Sequence, residues 1–215
     1  MVKLRKSPLP DGVVIKKEFD YRDGRLFLLL HEDCLHKCYI CESVQNPKNV
    51  EHRRPHRGDE KLKYDWNNLF ISCGHCNGLK NKRKYDNGIL DPVETDPEDY
   101  ISLQLAFDDV KEKVIIKKIN NAELVDITVE LLEEVYNCSN GTANQKVSAT
   151  ALRNTISEEV MKLRLYIDEY KQYGEKGDYE NIVKEIAREK EFAAFKRKIV
   201  RDDPVLSEKF AKELE

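Results

Sequence analysis

The stretch that decides the fold runs between two cysteine pairs, Cys38-Tyr39-Ile40-Cys41 and Cys73-Gly74-His75-Cys76, with 31 residues separating Cys41 from Cys73. A Cys-x-x-Cys turn aims two thiolates at one point. Two such turns complete the closed tetrahedral shell of a structural Zn²⁺, with no open position left for catalysis. No thioredoxin-like βαβ context surrounds either pair, which sets aside a redox dithiol. The chain has six cysteines in all. The two outside the pairs, Cys34 and Cys138, read as small, half-buried apolar side chains. The ligand set keeps two alternatives, Cys34 in place of Cys38 in a longer knuckle, or one of His31, His36 and His75 in place of a cysteine.

Outward from this stretch, the 215 residues carry 36% charged side chains and no apolar run near the roughly 20 residues of a membrane span. The longest apolar burst, Leu26 to Leu30, is strand-sized. The first fifteen residues lack the apolar core and small-residue cleavage site of a signal peptide, so a cytoplasmic protein is expected, where paired cysteines bind metal sooner than they form disulfides.

The segment bracketed by the knuckles is rich in chemistry. It reads Val50-Glu51-His52-Arg53-Arg54-Pro55-His56-Arg57, then Tyr64-Asp65-Trp66-Asn67-Asn68-Leu69-Phe70-Ile71-Ser72, and passes through the second knuckle into Asn77-Gly78-Leu79-Lys80. A carboxylate beside a histidine, followed by an amide oxygen, suits a hard divalent cation plus a base that titrates near neutrality. Phosphodiester hydrolysis needs those parts, together with cations for the flanking phosphates. Pro55 should end a short strand that includes His52. Asn77 to Lys80 should open a helix, with Asn77 in its first turn and Lys80 on the same side.

This order, Glu-His, then Asn-Leu, then Cys-x-x-Cys-Asn-x-x-Lys, resembles the HNH (ββα-metal) endonucleases in their zinc-knuckle form. The wider pattern, with Cys-Tyr-Ile-Cys-Glu, Glu-His-Arg-Arg-Pro, Asn-Asn-Leu-Phe-Ile-Ser-Cys and Gly-Ile-Leu-Asp-Pro, is similar to HNH proteins of Septu-type and retron-associated anti-phage systems. The resemblance covers residues 38 to 92. It implies that His52 is the general base, its ring oriented by a backbone carbonyl. Glu51 and Asn77 become ligands of a catalytic divalent metal, Mg²⁺ before Mn²⁺ or Ni²⁺, and Asn68 pins the loop that aims His52, with Asn67 as its competitor. Cys38, Cys41, Cys73 and Cys76 hold the structural zinc. Lys80, and with it Arg54 and Arg57, would follow the DNA backbone. The family often has an apolar residue where this chain has Arg53, a further candidate for nucleic-acid binding. The resemblance also implies an ATPase protein partner and an antiviral defence role.

The net charge of -3, from 37 bases and 40 acids, leans against a nucleic-acid protein until it is divided along the chain. Residues 34–84 carry +6, the residues before them +1 and those after them -10. Clustered cations beside a metal site suit phosphate binding. Tyr64, Trp66 and Phe70 read as core, so no single-strand stacking platform is indicated. Beyond Asp91-Pro92 the text turns acidic. Alternation over 100–119, with a break at Asp108-Asp109, predicts a hairpin. Apolar steps of three and four predict helices over 122–136, around Leu152 to Tyr170, and from Tyr179 to Ile199. Asn137 to Lys146 should be a polar linker and Asp203-Pro204 should start a last short helix.

The expected class is α+β: residues 1–33 a lead-in packed on the core, 34–92 a zinc-stapled ββα-metal HNH core, and 93–215 a small hairpin and a helical, acidic region suited to docking a partner. The expected function is metal-dependent cleavage of DNA, with RNA as an open alternative substrate. The competing readings are a zinc-knuckle nucleic-acid-binding module without catalysis, and an acidic helical adaptor that would account only for residues 120 to 215.

Overall fold

A computed structural model describes residues 1–17, 20–21, 24–45, 48–107 and 112–215. The first helix, α1 (Gly24–Asp33), leads into the first cysteine knuckle. Strand β1 (Lys48–His52), the one-turn helix α2 (Glu60–Lys63), a 3-10 turn at Trp66–Asn68 and strand β2 (Leu69–Cys73) follow. The two strands pair antiparallel, with Glu51 opposite Phe70 and His52 opposite Leu69. Helix α3 (Gly74–Lys80) grows directly from the end of β2. All of Leu69 to Cys73 is buried, which explains the unbroken apolar run Leu-Phe-Ile in a strand of a two-stranded sheet.

A second antiparallel hairpin joins β3 (Ile101–Phe107) to β4 (Glu112–Lys118), with Leu105 opposite Val114. The expected break at Asp108-Asp109 lies outside the described residues. Helices α4 (Val125–Tyr136), α5 (Ala143–Tyr173), α6 (Lys176–Ile186), α7 (Ala193–Asp202) and α8 (Pro204–Lys209) complete an α+β molecule. Helix α4 packs on β4, and α7 on β3. Among the described residues no helix is long and apolar enough to cross a membrane.

Two apolar clusters result. The larger joins Met1, Val2, Leu4, the knuckles, β2, the second hairpin and α4 to Leu152, Ile156 and Val160 of α5. The smaller gathers Leu163 and Ile167 of α5 with Ile182, Ile186, Leu206 and Phe210. The lead-in therefore packs as expected at its first residues, where Leu4 donates its N–H to the Pro92 carbonyl at 2.8 Å and Trp66 Nε1 donates to the Ser7 carbonyl at 2.8 Å.

Three boundaries differ from the sequence reading. Helix α3 begins at Gly74, three residues before Asn77, because Cys73 caps it: the thiol accepts the Cys76 N–H at 3.5 Å. The polar linker is shorter than expected, since Thr142 and Gln145 form a reciprocal capping box that starts α5 at Ala143. The apolar period from Tyr179 to Ile199 is two helices and not one. Lys37 causes the break, donating to the carbonyls of Arg188 at 2.6 Å and Lys190 at 2.8 Å, while Phe192 takes a positive φ of 53°.

That lysine belongs to a buried ionic hub. Glu42 accepts from Lys37 at 2.9 Å and from the Met1 amino group at 2.8 Å, and each partner is 1% exposed. Burial pushes the Glu42 carboxyl up, but the two cations outweigh it and bring its pKa down to about 2. Removing one member of a buried pair strands the other. Lys37→Met should therefore lower unfolding free energy by about 3–5 kcal/mol, read as a shifted midpoint in urea denaturation; an unchanged midpoint would show that the hub is not stabilising.

Candidate functional site

The two knuckles converge. The ligand atoms of Cys38, Cys41, Cys73 and Cys76 lie within 4.8 Å of one another, and all four residues are buried. Thiolates at about 2.3 Å from a tetrahedral zinc stand about 3.8 Å from each other; Cys41 Sγ and Cys73 Sγ are 3.8 Å apart. Thiol hydrogen bonds from Cys38, Cys41 and Cys76 pull the Cys73 pKa far down, so the cluster favours a thiolate. The four cysteines fit a structural zinc by number, chemistry and spacing.

The alternative ligands are engaged elsewhere. Cys34 accepts the Ile71 N–H at 3.2 Å, and burial pushes its thiol up to about 12. His31 Nδ1 and His36 Nδ1 are 3.0 Å apart, and His75 Nε2 lies 2.9 Å from the Val135 carbonyl. Cys138 is buried outside the cluster.

Beside the cluster opens a cavity of about 540 Å³, lined by Glu51, His52, His56, Arg57, Asn77 and Lys80 among others. Strand β1 ends at His52, delivering it and Glu51 to one wall. Helix α3 delivers Asn77 and Lys80 to the other, one turn apart and so on the same side. His52 Nε2 is 3.0 Å from the Lys63 carbonyl. A carbonyl only accepts, so Nε2 carries a proton and Nδ1 holds the lone pair. Burial lowers the His52 pKa below its ordinary value; the Lys63 carbonyl works against this, and His56, Lys80 and Lys63 add to it. His52 is thus a neutral imidazole at pH 7, free to take up a proton.

Asn68 holds this geometry. Its Oδ1 accepts the Arg54 N–H at 2.8 Å, and its Nδ2 donates to the carbonyls of Arg54 at 2.9 Å and Leu62 at 3.0 Å. The Leu62 carbonyl adjoins Lys63, whose own carbonyl orients His52, so one buried amide fixes the segment that aims the imidazole. Asn67 is exposed, its backbone N–H held by Asp65 at 3.0 Å.

The cations are arranged otherwise than the sequence reading expects. Lys80, expected along a nucleic-acid backbone, is 1% exposed and donates to Glu51 Oε1 at 2.6 Å and to the His52 carbonyl at 2.7 Å. Burial raises the Glu51 pKa against the pull of Lys80, and burial lowers the Lys80 pKa against the pull of Glu51. Desolvation therefore outweighs the mutual attraction of the pair. Arg53 turns away to Asp91 at 2.9 Å and the Ile89 carbonyl at 2.6 Å. The positive φ of Gly88 makes room for it, since a Cβ there would meet the Arg53 carbonyl at 3.2 Å. Arg57 pairs with Asp86 at 2.8 Å and reaches Asn81 Oδ1 at 3.0 Å. Lys82 and Lys84 pair with Glu134 and Glu130 of α4. Of the +6 block, Arg54, Lys61 and Arg83 are exposed and make no ion pair among the described residues.

Two lining residues escape the sequence reading. His56, whose Nδ1 accepts the Gly58 N–H at 3.1 Å, stands 4.8 Å from His52 ring to ring. Tyr21 meets His52 edge to face at 5.7 Å. Spacing could have flagged His56, four residues after His52; nothing local flags Tyr21.

Two measurements check the site. Purified protein should bind one Zn²⁺ or Co²⁺, with strong thiolate charge transfer in the cobalt form; Cys41→Ser should lose it and Cys34→Ser keep it. Asn68→Ala strands three backbone groups and should cost about 1–3 kcal/mol or more in urea unfolding, whereas Asn67→Ala should change little.

No protein-family model, curated protein or solved structure matches the chain.

Proposed function

We propose that this protein is a metal-dependent endonuclease of the HNH type, hydrolysing phosphodiester bonds in DNA. One observation carries the reading: a carboxylate, a neutral imidazole with a fixed tautomer and a carboxamide line one cavity, on a strand-strand-helix unit tied by four cysteines. A purely structural zinc knuckle has no use for that combination.

The donor set fits a hard divalent ion. Lys80 takes Oε1 of Glu51, and the second carboxylate oxygen and the Asn77 amide oxygen remain as hard ligands, with water completing the shell as Mg²⁺ prefers. When bound, such an ion would offset charge on the leaving oxygen and the phosphate. The chain itself supplies the base: His52 Nδ1 accepts a proton from water as that water attacks phosphorus, and the Lys63 carbonyl steadies the imidazolium through Nε2–H. Asn68 keeps the ring aimed. Arg54 and Lys61, exposed near the same loop, are the side chains available to flanking phosphates. The resemblance to Septu-type and retron-associated proteins extends the proposal to an anti-phage effector that acts with an ATPase partner.

The Lys80 ion pair on Glu51 is the observation that favours the rival, a zinc-knuckle module that binds nucleic acid without cutting it. Nicking of supercoiled DNA separates the two. Cleavage should require Mg²⁺ or Mn²⁺, stop with EDTA, and fall about 10²–10⁴-fold in His52→Ala, with zinc content and fold unchanged. Cleavage by His52→Ala at the wild-type rate would remove the assignment.

A further inference from the structure

The cavity already holds a cation of its own. Lysine side chains are mobile and solvated as a rule, yet Lys80 is 1% exposed and its ammonium is fixed by the Glu51 carboxylate at 2.6 Å and the His52 carbonyl at 2.7 Å. Glu51 is the only carboxylate among the described lining residues, and it is itself 8% exposed. The other cation of the lining, Arg57, is paired with Asp86.

We propose that Lys80 is a built-in counter-cation of this cavity, holding Glu51 in the place of a divalent ion and so setting how weakly such an ion binds. The inference deepens the nuclease reading and rests on Glu51 being a cation ligand. The physical argument is one of competition. An ammonium in ionic contact with the carboxylate repels a second cation that approaches the same group, and in a partly desolvated wall this repulsion is screened far less than in water. With Lys80 present, the Glu51–Lys80 wall is neutral; with an uncharged side chain it bears one uncompensated negative charge. Lys80 is then a positioning residue with two effects: it keeps Glu51 and the end of β1 in register before any metal arrives, and it holds metal affinity low. A purely structural lysine predicts the opposite sign, because its loss would loosen Glu51 and weaken binding.

The test is Mn²⁺ binding, followed by electron paramagnetic resonance, to the zinc-loaded full chain at low salt. Lys80→Met should bind Mn²⁺ at least about tenfold more tightly than wild type, and Glu51→Gln should lose this binding. If Lys80→Met binds equally or more weakly while folded, and Glu51→Gln binds none, the counter-cation role is overturned and Glu51 stands as a ligand. If Glu51→Gln binds Mn²⁺ as wild type does, Glu51 is not a ligand, and the nuclease reading of Glu51 falls together with this proposal. If Lys80→Met fails to fold, ¹⁵N-lysine spectra of the wild-type protein decide: a Lys80 Nζ resonance that moves on addition of Mg²⁺ supports the proposal, and one that stays put at saturating Mg²⁺ overturns it.

Discussion

The convergence of four sulfurs is the constraint on which the rest depends. A two-stranded sheet is marginal by itself, and β1 and β2 are joined by a long, polar excursion through residues 53–68. The cysteines fasten that excursion at both ends: the first knuckle lies before β1, the second is the end of β2 and the start of α3. With both ends fixed, few arrangements remain for the chain between them, and the catalytic pair of β1 must face the helix that grows from the second knuckle. A metal in the cluster lowers the entropy of the open chain in the manner of any crosslink that closes a long loop.

Within that frame, polar order is passed along by single groups. Asn68 substitutes for a missing strand rung by bonding both backbone groups of Arg54, then reaches Leu62 with its remaining donor. Lys63, next in the chain, orients His52. Lys80 closes the circuit from the helix side, tying Glu51 and the His52 carbonyl to α3. Each of these groups is buried or half-buried, where a hydrogen bond is strong and an unmet partner is costly.

What was legible in the sequence was whatever short spacing encodes. Two Cys-x-x-Cys turns announced a metal cluster, the alternation beyond residue 100 announced a hairpin, and Glu51, His52 and Asn77 could be grouped because the cysteines bracket them. Charge was not legible. A basic run looks the same whether its members face solvent or acids from afar, and the partners of Lys82 and Lys84 are Glu134 and Glu130, dozens of residues downstream. The division of the apolar stretch after Tyr179 was equally hidden, because its cause, Lys37, lies in the first knuckle. Arg53 could not be aimed from sequence either, since Gly88 and Asp91 decide its direction.

Helix α5 has a mechanical consequence. Its 31 residues extend about 46 Å at 1.5 Å per residue. Its middle turns, at Leu152, Ile156 and Val160, are embedded in the larger core, and Leu163 and Ile167 lie in the smaller one. An uninterrupted helix bends little, so it acts as a splint between the two cores. A force or a ligand that tilted the C-terminal helices could not be absorbed at a hinge between the clusters; it would be transmitted as rotation of a stiff rod into the core against which the cysteine knuckles are packed.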